Sequence, residues 1–279
     1  MTPPQFLWLN GRIQSMEEAR LSPLDHGFLV GDGVFETLVA RGGKPFAAQQ
    51  HYERLVRSCE VTGLRCISEA TFHESISAVM QANGLHDARV RVTLTSGDGP
   101  LGSDRGAGQG TVLVVATPLN SWPPTEKVQL APWTRNSRGA LASVKSVSYG
   151  ENVRALLYAK DRGCGEALVV NESNQLCEGT GSNVFVVLEG RLLTPPLSSG
   201  CLAGITRQLV LEACAEVGIV CLEEDLPVVV LEECEEAFLT SSTRDVHPIS
   251  LLNGRALQAP GPVTLTVQQA FRQMYATGA

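Results

Sequence analysis

The sequence predicts a mixed α/β protein of two domains, and three observations carry that prediction. At about 100–200 residues per domain, a chain of 279 residues is roughly two domains long. Segments with alternating apolar residues interleave with segments in which apolar residues recur at helical spacing, so neither an all-helical nor an all-strand protein fits. Near the middle, Pro118, Pro123 and Pro124 punctuate the stretch from Thr117 to Thr125, the best linker signal in the chain. The expected division is an N-terminal α/β domain over residues 1–118, a linker at 119–125 and a C-terminal domain over 126–279.

In the first half, Phe6 to Ile13 reads as two strands turning at Asn10-Gly11, and Val34 to Phe46 as a hairpin turning at Gly42-Gly43. Ala47 to Thr62 carries Leu55, Val56 and Cys59 at helical spacing, and Glu69 to Ala82 carries Phe72, Ile76, Val79 and Met80 likewise. Ala88 to Thr95 alternates Val90, Val92 and Leu94 with Arg89, Arg91 and Thr93, the pattern of a half-buried strand. Ser96 to Gly110 is too rich in glycine for regular structure and reads either as a substrate-covering loop or as a disordered surface loop. A strand from Thr111 to Ala116 closes this half. In the second half, strands are expected at Val128 to Ala131, Glu166 to Asn171, Asn183 to Leu188 and near Ala237 to Thr240. Helices are expected from about Asn152 to Arg162, from Gly204 to Val217 and from Thr264 to Tyr275. The middle one is the clearest, since Ile205, Leu209, Val210, Ala213, Cys214 and Val217 form one face and Gly218 supplies a stop.

Twenty-two Lys and Arg against 29 Asp and Glu give a net charge of −7, which offers no basic face for a nucleic-acid backbone. Eight cysteines without a Cys-x-x-Cys pair, in a chain long enough to build a core unaided, read as reduced and mostly buried thiols. The amino terminus lacks the basic and apolar regions of a secretion signal, and no apolar run approaches the ~18 residues of a membrane span. A soluble cytoplasmic protein with no membrane partner is expected. His26, His51, His73, His86 and His247 lie far apart without ligand spacing, so no metal site is expected. A Gly-x-Ser-x-Gly elbow, a Walker A sequence and a His-Glu-x-x-His pair are all missing, and Gly27, Gly31 and Gly33 lack dinucleotide-fold spacing.

Six stretches instead form one set: SPLDHGFLVGDGVFET (22–37), HYERL (51–55), VKSVSY (144–149), CEGTGSNVF (177–185), GCLAGITR (200–207) and FLTSSTRDVHPI (238–249). In order and spacing they resemble the class IV aminotransferases, the pyridoxal 5'-phosphate enzymes of fold type IV, over nearly the whole chain. That family includes branched-chain aminotransferases, D-amino-acid aminotransferases and aminodeoxychorismate lyases. The resemblance implies a two-domain fold like that of D-amino-acid aminotransferase, a pyridoxal phosphate cofactor, a small amino-acid-like substrate and a homodimer.

Residue by residue, Lys145 matches the lysine that forms the cofactor's internal Schiff base, which needs an amine able to lose its proton. Glu178 matches the carboxylate facing the pyridine nitrogen, where an anion keeps that nitrogen protonated. Asn183 is the asparagine of the same motif, with a turn-holding role. Arg54 matches the phosphate-binding arginine. Gly204, Ile205 and Thr206 open the clearest helix, whose backbone N–H groups and dipole suit an anion. Ser242 adds a hydroxyl for the phosphate, and Thr243 lies where the family also meets the substrate carboxylate.

Within the family, Asp25 to Phe28, Gly33 to Thr37 and Ala88 to Ser96 look most like aminodeoxychorismate lyases of folate biosynthesis, which release pyruvate and leave 4-aminobenzoate. There Thr37 matches a hydroxyl that assists Lys145. Ser96 stands where D-amino-acid aminotransferases usually carry an arginine, and Phe35 to Val39 departs from the branched-chain pattern. The alternative is an aminotransferase of D-amino acids or branched-chain amino acids; a family member that has lost its chemistry is disfavoured by Lys145 and Glu178.

Overall fold

Asn10 and Gly11 take φ values of 47° and 91°, the left-handed pair a two-residue hairpin needs, and fold β1 (Phe6–Leu9) onto β2 (Arg12–Ser15). In the computed structural model, which describes residues 4–277, the chain continues through α1 (His26–Leu29), β3 (Gly33–Arg41), β4 (Lys44–Pro45), α2 (Ala48–Thr62), α3 (Glu69–Ala82), β5 (Ala88–Thr95) and β6 (Thr111–Pro118). These six strands form one sheet in the order β2-β1-β6-β5-β3-β4. Gly63, at φ 68°, ends α2, and Ser68 caps α3 by accepting from Thr71 N.

Strand alternation decides which side chains meet α2 and α3. Val34, Leu38, Val90, Val92 and Leu94 pack with Leu55, Cys59, Phe72, Ile76 and Val79 into a core, while Phe35, Thr37, Arg89, Arg91 and Thr93 occupy the other face. Phe72 is fully buried there, so Phe72→Ala would cost about 3–5 kcal/mol. The glycine-rich stretch from Ser96 to Gly110 has no regular element, yet it is tied down: Arg105 grips Asp32 with Nε and Nη2 at 2.6 and 2.5 Å. His26 Nε2 also lies 2.6 Å from Pro100 O.

The second unit holds β7 (Glu126–Arg135), α4 (Gly150–Lys160), β8 (Glu166–Asn171), β9 (Leu176–Gly179), β10 (Asn183–Leu188), β11 (Arg191–Thr194), α5 (Ile205–Glu216) and β12 (Cys221–Glu223). It closes with α6 (Val230–Glu233), β13 (Glu236–Ser241), β14 (Asp245–Leu252), β15 (Arg255–Ala256) and α7 (Pro262–Thr277). Its strands run β12-β11-β10-β13-β14-β7-β8-β9, with β15 paired to β14. Leu168, Leu176, Val184, Leu239 and Ile249 belong to its core, and Phe185 stacks on Phe238 at 4.9 Å.

The chain divides differently from the sequence expectation. Val144–Tyr149 groups with the residues up to Asn120, while Ser121–Ser143 groups with the chain from Gly150 onward. The reason is strand pairing: Ser146 bridges Val34, Phe35 N donates to Lys145 O at 2.9 Å and Val147 N donates to Gly33 O at 2.9 Å. Lys145, expected in the C-terminal domain at 126–279, therefore belongs to the first unit. All eight cysteines are unpaired and six of them are buried. Among the described residues no helix is long and apolar enough to cross a membrane.

Candidate active site

In the first unit, Lys145 lies along the start of β3, and its Nζ sits 4.6 Å from the centre of the Phe35 ring. Tyr149 meets the same ring edge-on at 5.2 Å. The Arg91 guanidinium covers that ring at 3.6 Å, and its Nε donates to Thr93 Oγ1 at 3.1 Å. Thr37, paired with Arg91 across β3 and β5, is half-buried on the same face. An amine, a guanidinium, a hydroxyl and two rings thus share one side of the sheet.

The opposite side of β3 carries Glu36, which is fully buried. Its Oε1 accepts from Arg54 Nε at 2.8 Å, its Oε2 from Arg54 Nη2 at 2.7 Å, and Oε2 lies 2.7 Å from His51 Nδ1. Arg54 therefore enters the site with one edge of its fork already committed to Glu36. Burial would raise the Glu36 carboxyl, but the charge and hydrogen bonds of Arg54, with those of His51, outweigh it and hold the group at about 2. Burial lowers His51 against the pull of Glu36, and the charges of Arg54 and Lys145 push the same way.

A carboxyl whose pKa is depressed on folding contributes stability that is complete above its ordinary value of 4.5 and lost as pH falls toward about 2. Acid unfolding followed by circular dichroism is expected to steepen across that window. Glu36→Gln should flatten it and cost about 3–5 kcal/mol at neutral pH by leaving Arg54 buried without its anion. An unchanged acid profile in that variant would exclude the Glu36 assignment.

In the second unit, Glu178 ends up nearly buried on β9, paired opposite Val169 of β8. Its Oε2 accepts from Leu202 N at 2.9 Å, and its Oε1 lies 3.3 Å from Arg135 Nη2. Arg135 also lines a cavity of about 450 Å³ with Trp133, Asn152, Arg154 and Thr180. Asn183 Nδ2 donates to Leu202 O at 2.9 Å, tying its motif to the segment ahead of α5. Gly204 is the N-cap of α5 with no side-chain cap bond, and a Cβ on it would collide with Asn183 Oδ1. Thr206 is buried in the first turn. Thr240 of β13 pairs with Asn183, so the turn that carries Ser242 and Thr243 leaves the sheet beside the same motif.

Each unit so gathers its own share of the expected residues. The first brings Lys145 and Thr37 to one face of its sheet and Arg54 to the other. The second brings Glu178, Gly204, Ile205, Thr206, Ser242 and Thr243 toward one end of its sheet. Sequence reasoning missed Glu36, His51, Arg91 and Arg135 as partners. Glu36 left a signal, a charge inside the apolar run from Val34 to Ala40; Arg135 left none.

The donor set suits pyridoxal phosphate. A bare helix start backed by a glycine that admits no side chain fits a phosphate, and a buried carboxylate held by Leu202 N and Arg135 fits a cationic ring nitrogen. The comparisons with known proteins agree. Residues 33–252 match the amino-transferase class IV family. A Methanocaldococcus jannaschii protein assigned as a branched-chain-amino-acid aminotransferase is 33% identical over 96% of both chains. A Bacillus licheniformis D-alanine aminotransferase is 30% identical over 94% of both. Among solved structures, the branched-chain aminotransferase of Thermoproteus uzoniensis with norvaline superposes with a TM-score of 0.91 at 29% identity, covering 96% of this chain and 94% of that one. A Legionella pneumophila structure described as a 4-amino-4-deoxychorismate lyase gives 0.88 at 25% identity, covering 93% of this chain and 97% of that one.

Fold and site define a fold type IV enzyme of the pyridoxal-phosphate class. The chain belongs to the class IV aminotransferase family.

Proposed function

We propose that the chain is a pyridoxal-phosphate-dependent aminotransferase of amino acids, acting as a homodimer in the cytoplasm, with Lys145 as its covalent attachment point and proton carrier. When bound, the cofactor supplies an electron-withdrawing ring for the substrate's α-carbon. Lys145 would hold the group through its amine and would serve as the proton carrier at that carbon. Glu178, steadied by Leu202 N and Arg135, would keep the ring nitrogen protonated. By the family pattern, Arg54 in the first unit and the Gly204-Ile205-Thr206 helix start with Ser242 in the second are the residues that would bind phosphate, and Thr243 would meet the substrate carboxylate.

The observation that carries the reading of a carboxylate-bearing substrate is Arg91, whose surroundings suit an amino acid and aminodeoxychorismate alike. Its guanidinium covers the ring that Lys145 also approaches, burial lowers its pKa, and among the described residues no carboxylate pairs with it. A part-buried cation without a counter-ion is costly, and an amino-acid or keto-acid carboxylate would supply one. The named activities of the two relatives favour aminotransfer over the lyase reaction that the Asp25–Phe28 and Gly33–Thr37 stretches suggest. The lyase remains a second reading because Thr37 lies beside Arg91 on the Lys145 face, and a lyase is among the similar solved structures.

One preparation tests both. Adding D-alanine, D-glutamate or leucine without a keto acid should bleach the cofactor's visible band, and pyruvate or 2-oxoglutarate should restore it, as transamination requires. Persistence of the band with every amino acid, together with pyruvate release from aminodeoxychorismate, would overturn aminotransfer in favour of the lyase.

A further inference from the structure

We propose that the buried Glu166–Arg244 pair positions the cofactor-facing end of the second unit: Glu166 clamps the turn that aims Glu178, and Arg244 ties that clamp to the Ser242-Thr243 turn. The proposal rests on the cofactor reading above and adds two positioning residues to it.

Glu166 opens β8 and is 2% exposed. Its Oε1 accepts from Thr180 N at 3.1 Å and from the Thr180 hydroxyl, and its Oε2 accepts from Ser182 Oγ at 3.1 Å. One carboxylate therefore grips both ends of the Thr180–Ser182 turn. The turn has little freedom besides, since Gly179 N donates to Ser182 O at 2.7 Å and a Cβ at Gly179 would collide with Ser182 Oγ.

From this turn the contacts lead back to Glu178. Asn183, the next residue, holds Leu202 O, and Leu202 N in turn donates to Glu178 Oε2 at 2.9 Å. A shift of the turn would thus move Asn183, then the Leu202 peptide, and with it the donor that sets the angle of the Glu178 carboxylate. Leu202 is also two residues ahead of Gly204, so the start of α5 would move too.

Arg244 supplies the opposing charge. Its Nη2 lies 3.6 Å from Glu166 Oε2, its Nη1 lies 3.3 Å from Glu126 Oε2, and its guanidinium stacks on Trp122 at 4.0 Å. Arg244 directly follows Thr243 and its N–H donates to Ser241 O at 3.2 Å, so the arginine that offsets Glu166 also fixes the turn holding Ser242 and Thr243. A hydrophobic contact could hold either turn at lower desolvation cost; a charged pair with directed hydrogen bonds holds both in one geometry.

Two variants of the holoprotein test this. Ser182→Ala removes one donor and leaves every charge in place, while Glu166→Gln removes the charge. Ser182→Ala should lower kcat roughly 3- to 10-fold and Glu166→Gln roughly 30- to 100-fold, with KM little changed, since the loss is one of aim. The circular dichroism induced in the cofactor's visible band should weaken in the same order, a signature that general loosening of the fold would not produce per bound cofactor. If Glu166→Gln fails to fold, Ser182→Ala decides alone. Wild-type kcat and wild-type induced dichroism per bound cofactor would overturn the proposal. A wild-type protein with no visible cofactor band would instead overturn the reading on which it rests.

Discussion

Lys145→Ala is expected to be colourless, folded and without measurable turnover. The residue lies on a segment held by backbone bonds to Gly33 and Phe35, and those bonds do not involve its side chain. Truncation should therefore leave the strand pairing intact and remove only the amine. If Lys145 has both roles proposed for it, its loss removes two steps at once, so a fall of about 10⁴-fold or more in kcat is expected. The measurement is turnover together with the absorption spectrum, with the melting temperature as a control on folding. Residual activity within about tenfold of wild type would exclude Lys145 from both roles.

Glu178→Gln is expected to keep the cofactor bound while slowing turnover. The amide retains an oxygen for Leu202 N but loses the charge that faces Arg135 and that, in the proposed function, would face the ring nitrogen. A lost charge-assisted interaction of about 2–4 kcal/mol in the transition state corresponds to roughly 30- to 1,000-fold in kcat. The glutamine variant should be titrated with the cofactor to show near wild-type affinity before kcat is compared. Equal turnover in the two proteins would rule out this role for the carboxylate.

These effects were legible in the sequence to unequal degrees. Helix α3 has the expected bounds, Glu69–Ala82, because its apolar face is regular and Ser68 caps it. Strands β5, β8 and β10 also begin and end where alternation or continuous apolar runs place them. The strand expected at Val128–Ala131 extends over Glu126–Arg135, because its polar residues pair with β8 on the far side of a register shift at Leu130/Thr134. Strands β9, β11 and β12 leave no signal in the sequence; at three or four residues each they are too short for any period to declare itself. The place of Lys145 departs from the sequence pattern for a different reason. Sequence order put it after the proline-rich break, whereas a long-range pairing with β3, invisible to local pattern, returns it to the first unit.

The candidate site divides in the same way. Motif residues such as Arg54, Glu178 and Gly204 could be named from spacing, but what steadies them could not. That Arg54 is gripped by Glu36, or that Glu178 is shared between Arg135 and the Leu202 peptide, depends on which side chains alternation and strand pairing bring together.

The central claim is that Lys145 holds pyridoxal phosphate covalently, and reductive trapping tests it most directly. The holoprotein is treated with borohydride, digested and mapped by mass spectrometry. The account predicts loss of the visible band and a single phosphopyridoxyl adduct on the peptide containing Lys145. An adduct on Lys127, Lys160 or any other lysine, or no adduct after incubation with excess cofactor, would contradict it.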